Sequence, residues 1–84
     1  MEKPYFYHKF KVEMAIREEF YEDFVSFMKS FCAQRELRIE WTQSIECAGY
    51  TSVTFILRGD YMLPSTLVSL GRLWQSEMQI LLTK

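Results

Sequence analysis

The stretch Tyr5–Met14 has the sequence YFYHKFKVEM and decides the fold that we predict for this chain. Its residues alternate between two sets, and successive side chains of a strand point to opposite faces of a sheet. The mainly apolar set comprises Phe6, His8, Phe10, Val12 and Met14. The other set carries aromatic and charged groups and comprises Tyr5, Tyr7, Lys9, Lys11 and Glu13. The alternation predicts a strand with the apolar set in a core and the other set on an open face.

Length and composition limit what the rest of the chain can form. A chain of 84 residues buries only about 60 to 65% of its unfolded surface, so we expect one α+β domain over residues 1–84. Hydrophobic residues make up 49% of the chain, which argues against disorder. The formal net charge of -1 gives no general attraction to nucleic acid or anionic lipid. We see no leader and no apolar run of about 18 residues, so we expect a cytoplasmic protein without a membrane partner.

Two segments have helical periodicity. The first spans residues 17–35, and its apolar stripe comprises Phe20, Phe24, Phe27 and Phe31. The second is predicted to end near Ser76, and its stripe comprises Leu63, Leu67, Leu70 and Trp74. Gly71 within this helix is predicted to mark a close approach to the sheet, because glycine is otherwise unfavourable there.

Three further segments alternate as strands do, at residues 37–47, 52–58 and 78–83. We predict a hairpin between the first two, with a three-residue loop at residues 48–50. That register pairs Ile45 with Val53 and Trp41 with Leu57, with all four facing the core. Gln43 would then face the core as well, so we predict a β-bulge that turns it outwards.

The order of elements is strand, helix, strand, strand, helix, strand. This order predicts a ferredoxin-like βαββαβ sandwich, in which a four-stranded antiparallel sheet carries two helices on one face. The first and third strands would lie at its centre, and the segments 37–47 and 78–84 would form its edges.

No catalytic or ligand-binding pattern is evident, so we expect a protein that is not an enzyme and needs no cofactor or metal. His8 is the only histidine, and we predict that it packs in the core. Cys32 and Cys47 are predicted to be buried free thiols, with a disulfide only if the fold brings them together. The four carboxylates at the start of the first helix are predicted to lie in solvent. They are Glu18, Glu19, Glu22 and Asp23.

The open sheet face is the best functional candidate. We predict an interaction surface there that comprises Tyr5, Tyr7, Lys9, Lys11, Ile56, Arg58 and Leu81. Such a face suits an adaptor, regulator or inhibitor that binds another protein, as bacterial and phage accessory proteins do, or that forms a homodimer through this face. A sheet edge is a second place for contact. The alternative is single-stranded nucleic acid stacked on Tyr5 and Tyr7, although the third strand supplies no aromatic partner.

Overall fold

The computed structural model describes residues 8–59 and 64–84, which form three strands and two helices. The elements are β1 (His8–Arg17), a short 3-10 turn (Glu18–Phe20), α1 (Tyr21–Arg35), β2 (Arg38–Cys47), β3 (Tyr50–Gly59) and α2 (Pro64–Leu82). The α+β class is therefore confirmed. The predicted first helix is also confirmed, except that Arg17 ends β1 and the first helical turn is of the 3-10 type.

The three strands form one antiparallel sheet in the order β1-β3-β2. The prediction of a four-stranded ferredoxin-like sandwich is wrong, because the described residues contain only these three strands. The prediction that β1 is central is wrong as well, since it forms one edge of the sheet. β2 forms the other edge, as predicted, and β3 lies between them.

The missing fourth strand has a physical explanation in the sequence of α2. Residues 78–83 were predicted to form a strand, but α2 continues through them to Leu82. No glycine, proline, asparagine or aspartate follows Trp74, so nothing in this segment favours a turn out of the helix. Met78 and Leu81 also extend the buried stripe of Leu70 and Trp74 at helical spacing and pack against the core. The helix therefore packs Met78 and Leu81 against the core without a new loop, although it leaves Ile80 and Leu82 56% and 50% exposed.

The hairpin between β2 and β3 differs from the prediction in its loop. Cys47 pairs with Tyr50, so the loop contains two residues, Ala48 and Gly49, instead of three. Gly49 has a φ angle of 80°, which glycine adopts without the cost paid by other residues. The predicted bulge is confirmed, because the register shifts between Trp41 and Gln43.

The two-residue loop and the bulge together decide which side chains of β2 face the helices: the loop sets Ile45 and Gln43, and the bulge sets Trp41. Gln43 pairs with Thr54, and Ile45 pairs with Ser52, so both lie on the open face. The predicted pairing of Ile45 with Val53 is therefore wrong. Trp41 pairs with Phe55 instead of Leu57, although it stays on the helix side of the sheet. The Thr42 hydroxyl donates a hydrogen bond of 3.0 Å to the carbonyl oxygen of Thr54, which ties the bulge to the central strand.

The core lies between one face of the sheet and the two helices. Its largest fully buried side chains are Phe24, Phe55, Ile16, Met28, Leu57 and Val53. The ring of Phe24 lies edge-on to Trp74, with 5.0 Å between the centroids, and so joins the two helices. Gly71 is exposed on α2 and a Cβ atom there would meet nothing within 4 Å, so the predicted close approach to the sheet is wrong.

Helix α1 ends in a left-handed residue that is not glycine. Glu36 has a φ angle of 56°, and the Leu37 N–H donates a hydrogen bond of 2.9 Å to the Cys32 carbonyl. This pattern is a Schellman-type helix end, and it turns the chain directly into β2.

Candidate interaction surface

The open face is the side of the sheet away from the two helices, and positively charged side chains cross it in one row. Lys9 pairs with Arg58 in the β1–β3 register, and Arg58 pairs with Arg38 in the β2–β3 register. Residues opposite each other on neighbouring strands share a face, so these three cations lie side by side at one end of the sheet. The row spans two strand spacings, or about 10 Å. Like charges in such a row repel, and a negatively charged partner would relieve that repulsion.

The next row combines a cation, an apolar group and an anion. Lys11 pairs with Ile56, and Ile56 pairs with Glu40 on the other side. Arg58 Nη2 donates a hydrogen bond of 3.2 Å to Glu40 Oε1, so one ion pair links the two rows. The Arg58 and Glu40 side chains are 42% and 57% exposed, and an ion pair in such contact with water contributes little to stability. Four of the predicted surface residues, Lys9, Lys11, Ile56 and Arg58, are thus brought together.

Other predicted members of the surface lie elsewhere or outside the described residues. Leu81 belongs to α2 and packs against the core on the helix side of the sheet, so its predicted position on the open face is wrong. The predictions for Tyr5 and Tyr7, and those for the side chain of His8, fall outside what the structure describes.

Two large side chains on the open face were missed by the sequence analysis. Ile45 and Tyr50 are 48% and 49% exposed, and they lie towards the hairpin end of the face. Ile45 was assigned to the core because the loop was counted as three residues. A glycine at position 49 fits a two-residue loop as well as a three-residue loop. The sequence therefore contains no signal that would have moved Ile45 from the core to the open face.

The edge of β1 is a second exposed feature of the sheet. β1 pairs with β3 over ten residues without a bulge, and no described strand pairs with its other side. Phe10, Val12 and Met14 lie on the helix side, where they pack against the core and are only partly buried. The β2 edge differs, because it is interrupted by the bulge. Bulges of this kind discourage edge pairing.

The carboxylates at the start of the first helix lie in solvent, as predicted. Glu18, Glu19, Glu22 and Asp23 are all exposed, and they line an open cleft of about 500 Å³ together with Glu46 of β2. In the part of the chain that the structure describes, no set of three or more histidine, cysteine or acidic side chains could hold a metal ion.

The cysteines occupy different environments. Cys32 is buried in α1, as predicted, whereas Cys47 is exposed at the hairpin, so its predicted burial is wrong. Both are free thiols. Burial raises the pKa of the Cys32 thiol, and the nearby Arg35 guanidinium opposes this effect. A thiol with a raised pKa and little solvent contact is a poor nucleophile.

Comparison with protein-family models, curated proteins and solved structures gives no match to this chain. Neither of the described helices is long and apolar enough to cross a membrane.

Proposed function

We propose that this chain is a small non-enzymatic protein of the cytoplasm that acts by contact with another protein. The open sheet face is the contact surface, and the chain serves as an adaptor, regulator or inhibitor of its partner. One observation supports this most directly: Ile56 lies on the central strand of that face, with Lys11 on one side and Glu40 on the other. An apolar centre with a charged surround is the usual composition of a protein interface.

The partner surface can be inferred from the charges of the face. The cation row of Lys9, Arg58 and Arg38 calls for carboxylates opposite it, and Ile56 calls for an apolar side chain beside them. Single-stranded nucleic acid would supply phosphates for the cation row as well. It also requires aromatic platforms for its bases, and the aromatic side chain of the described face, Tyr50, lies at the hairpin end, away from the cation row. An acidic protein surface therefore fits the described face better than an oligonucleotide does.

The test compares partner capture by the wild-type chain with capture by two matched variants. Ile56→Glu places a charge at the centre of the open face. Val68→Glu makes the same kind of change on α2, where Val68 is 58% exposed, and serves as the control. A protein that is retained by the wild type and by Val68→Glu, and lost with Ile56→Glu, supports the proposal. Circular dichroism and the urea midpoint of each variant show whether the fold is intact.

Two results would contradict this function. Equal retention of every captured protein by wild type and Ile56→Glu would remove the open face as the contact surface. Retention that disappears after nuclease treatment and with Arg58→Glu would instead support nucleic-acid binding. In that case, direct titration with an oligonucleotide should show an affinity that falls steeply with salt.

A further inference from the structure

We propose that the edge of β1 that no described strand covers pairs with β1 of a second copy of this chain, across a twofold axis at Val12. Two three-stranded sheets would then join into one antiparallel sheet of six strands, with both helical layers on the same side. The inference concerns the sheet edge instead of the open face, so it goes beyond the function proposed above. It starts from the position of β1 at the side of the sheet and from its ten-residue register without a bulge.

The apolar side chains of β1 are arranged for such pairing. Phe10, Val12 and Met14 follow one another on the helix side of the strand and are only partly buried. When Val12 lies opposite Val12 of the second copy, Phe10 of each copy lies opposite Met14 of the other copy. All of these side chains share one face, because residues opposite each other in an antiparallel pair always do. The pairing therefore continues the apolar layer from one copy into the other.

The charges of β1 select the same register. With the axis at Val12, Lys11 lies opposite Glu13 of the second copy, and the twofold axis repeats this pair. Moving the register by two residues in one direction places Lys11 opposite Lys11. Moving it by two residues in the other direction places Glu13 opposite Glu13. Opposite charges on facing positions stabilise an antiparallel pair and like charges destabilise it. The register centred on Lys11 also brings Lys9 opposite Glu13, but the register at Val12 is the one of the three that contains no pair of like charges.

The other edge of the sheet is less regular, and its apolar helix-side residues, Ile39 and Trp41, lie only before the bulge. The bulge at Thr42 interrupts β2, so its edge cannot pair evenly along its length. Beyond the bulge, Ser44 and Glu46 occupy the helix-side positions of β2 and are exposed. Pairing of two β2 edges would bring polar groups together where β1 brings apolar ones. A dimer through β1 also leaves the β2 edge and Ile56 accessible.

Solution mass and charge exchange test the dimer and its register together. Light scattering or sedimentation of the wild-type chain should show a dimer. Lys11→Glu creates two Glu–Glu oppositions, and Glu13→Lys creates two Lys–Lys oppositions, so each variant should dimerise at least about tenfold more weakly. Lys9→Glu is the matched control, because Lys9 lies opposite Ala15 in this register and its substitution should change the dimer constant little.

Mixing the two weakened variants gives the most specific readout. A Lys11→Glu chain beside a Glu13→Lys chain has opposite charges at both positions, so the mixture should form a heterodimer. A chain that carries both substitutions should recover the homodimer and should not exchange with the wild type. Since recovery requires both chains to be folded, this arm also excludes loss of structure as the cause of the single-variant effect.

The outcomes separate this inference from the proposed function. A wild-type chain that stays monomeric up to about 1 mM would overturn the dimer. Its dissociation constant would then exceed about 1 mM, which corresponds to a binding free energy weaker than about -4 kcal/mol. A dimer that is unaffected by Lys11→Glu, or a mixture that forms no heterodimer, would overturn the register. Partner capture that is lost with Ile56→Glu would stand in either case, because Ile56 lies on the central strand and not at the β1 edge.

Discussion

Replacing Phe24 by alanine removes the side chain that joins the two helices to the sheet. Phe24 is fully buried. The centroid of its ring lies 5.0 Å from the ring centroid of Trp74 and 6.2 Å from that of Phe55. Truncation of a buried phenylalanine costs about 3–5 kcal/mol, since it loses both burial energy and packing around the cavity that remains. The aromatic contacts favour the upper part of that range. For a chain of 84 residues, the total stability is about 4–13 kcal/mol. The substitution should therefore remove about a third or more of it.

Urea unfolding followed by tryptophan fluorescence measures this loss directly, because Trp74 and Trp41 both lie against Phe24. A loss of 3 kcal/mol also corresponds to a melting temperature about 12–24 °C lower for a domain of this size. Phe27→Ala is the matched control, since Phe27 is only partly buried and lines an outer groove between the helices. A loss below about 1 kcal/mol for Phe24→Ala, or one no larger than for Phe27→Ala, would refute the described core.

Three further predictions concern Gly71 and the two cysteines. Gly71→Ala should raise the unfolding free energy by about 1 kcal/mol, because the added methyl group meets no atom within 4 Å and glycine is unfavourable inside a helix. A lower unfolding free energy in urea titration would instead show that α2 is closely packed at position 71. A maleimide should modify Cys47 in the native protein and Cys32 only after unfolding. Mass spectrometry of the digested protein identifies the modified site, and equal modification of both cysteines in the native protein would contradict the prediction. Burial raises the pKa of Cys32, so as the pH rises above about 8.5 the thiol loses its proton in the unfolded chain before it does so in the folded protein. The free energy of unfolding should therefore fall above this pH, and it should fall by more in the wild type than in Cys32→Ala.

The elements that the sequence predicts correctly are those with a strong period of their own. The alternation through Lys9, Lys11 and Glu13 predicts β1, and the phenylalanine spacing predicts α1 because four large side chains must reach one core. The bulge in β2 was predicted from Gln43, but the two-residue loop alone places Gln43 on the open face, and the bulge instead keeps Trp41 on the helix side.

The errors arise where two local structures satisfy the same residues. Met78, Ile80 and Leu82 alternate as in a strand, yet Met78 and Leu81 continue the stripe of Trp74 at helical spacing. Short apolar segments of this kind do not distinguish the two periods, and the absence of glycine, proline, asparagine and aspartate after Trp74 was the better signal. A loop shorter by one residue likewise moved Ile45 from the core to the open face, because one step along a strand reverses every side chain.

The open face was partly predictable, because two of its strands alternate regularly. Lys9, Lys11, Ile56 and Arg58 belong to β1 and β3, the two strands whose faces follow from simple alternation, and the structure places them together. Arg38, Glu40, Ile45 and Tyr50 complete the face, but their positions depend on the hairpin register and on the bulge. Local pattern thus locates a surface on regular strands, whereas its extent depends on pairing between distant segments.

The error about the fourth strand bears on the proposed dimer. β1 was predicted to lie inside the sheet because the first strand of a ferredoxin-like sandwich is central. The structure places it at an edge, where Phe10, Val12 and Met14 are left partly covered. Its lysines are the usual protection of an edge against pairing, yet Glu13 beside Lys11 cancels that protection for one partner, which is a second β1 in the register centred on Val12. Pairing of two chains would return β1 to an interior position, because the proposed six-stranded sheet gives it a neighbour on both sides.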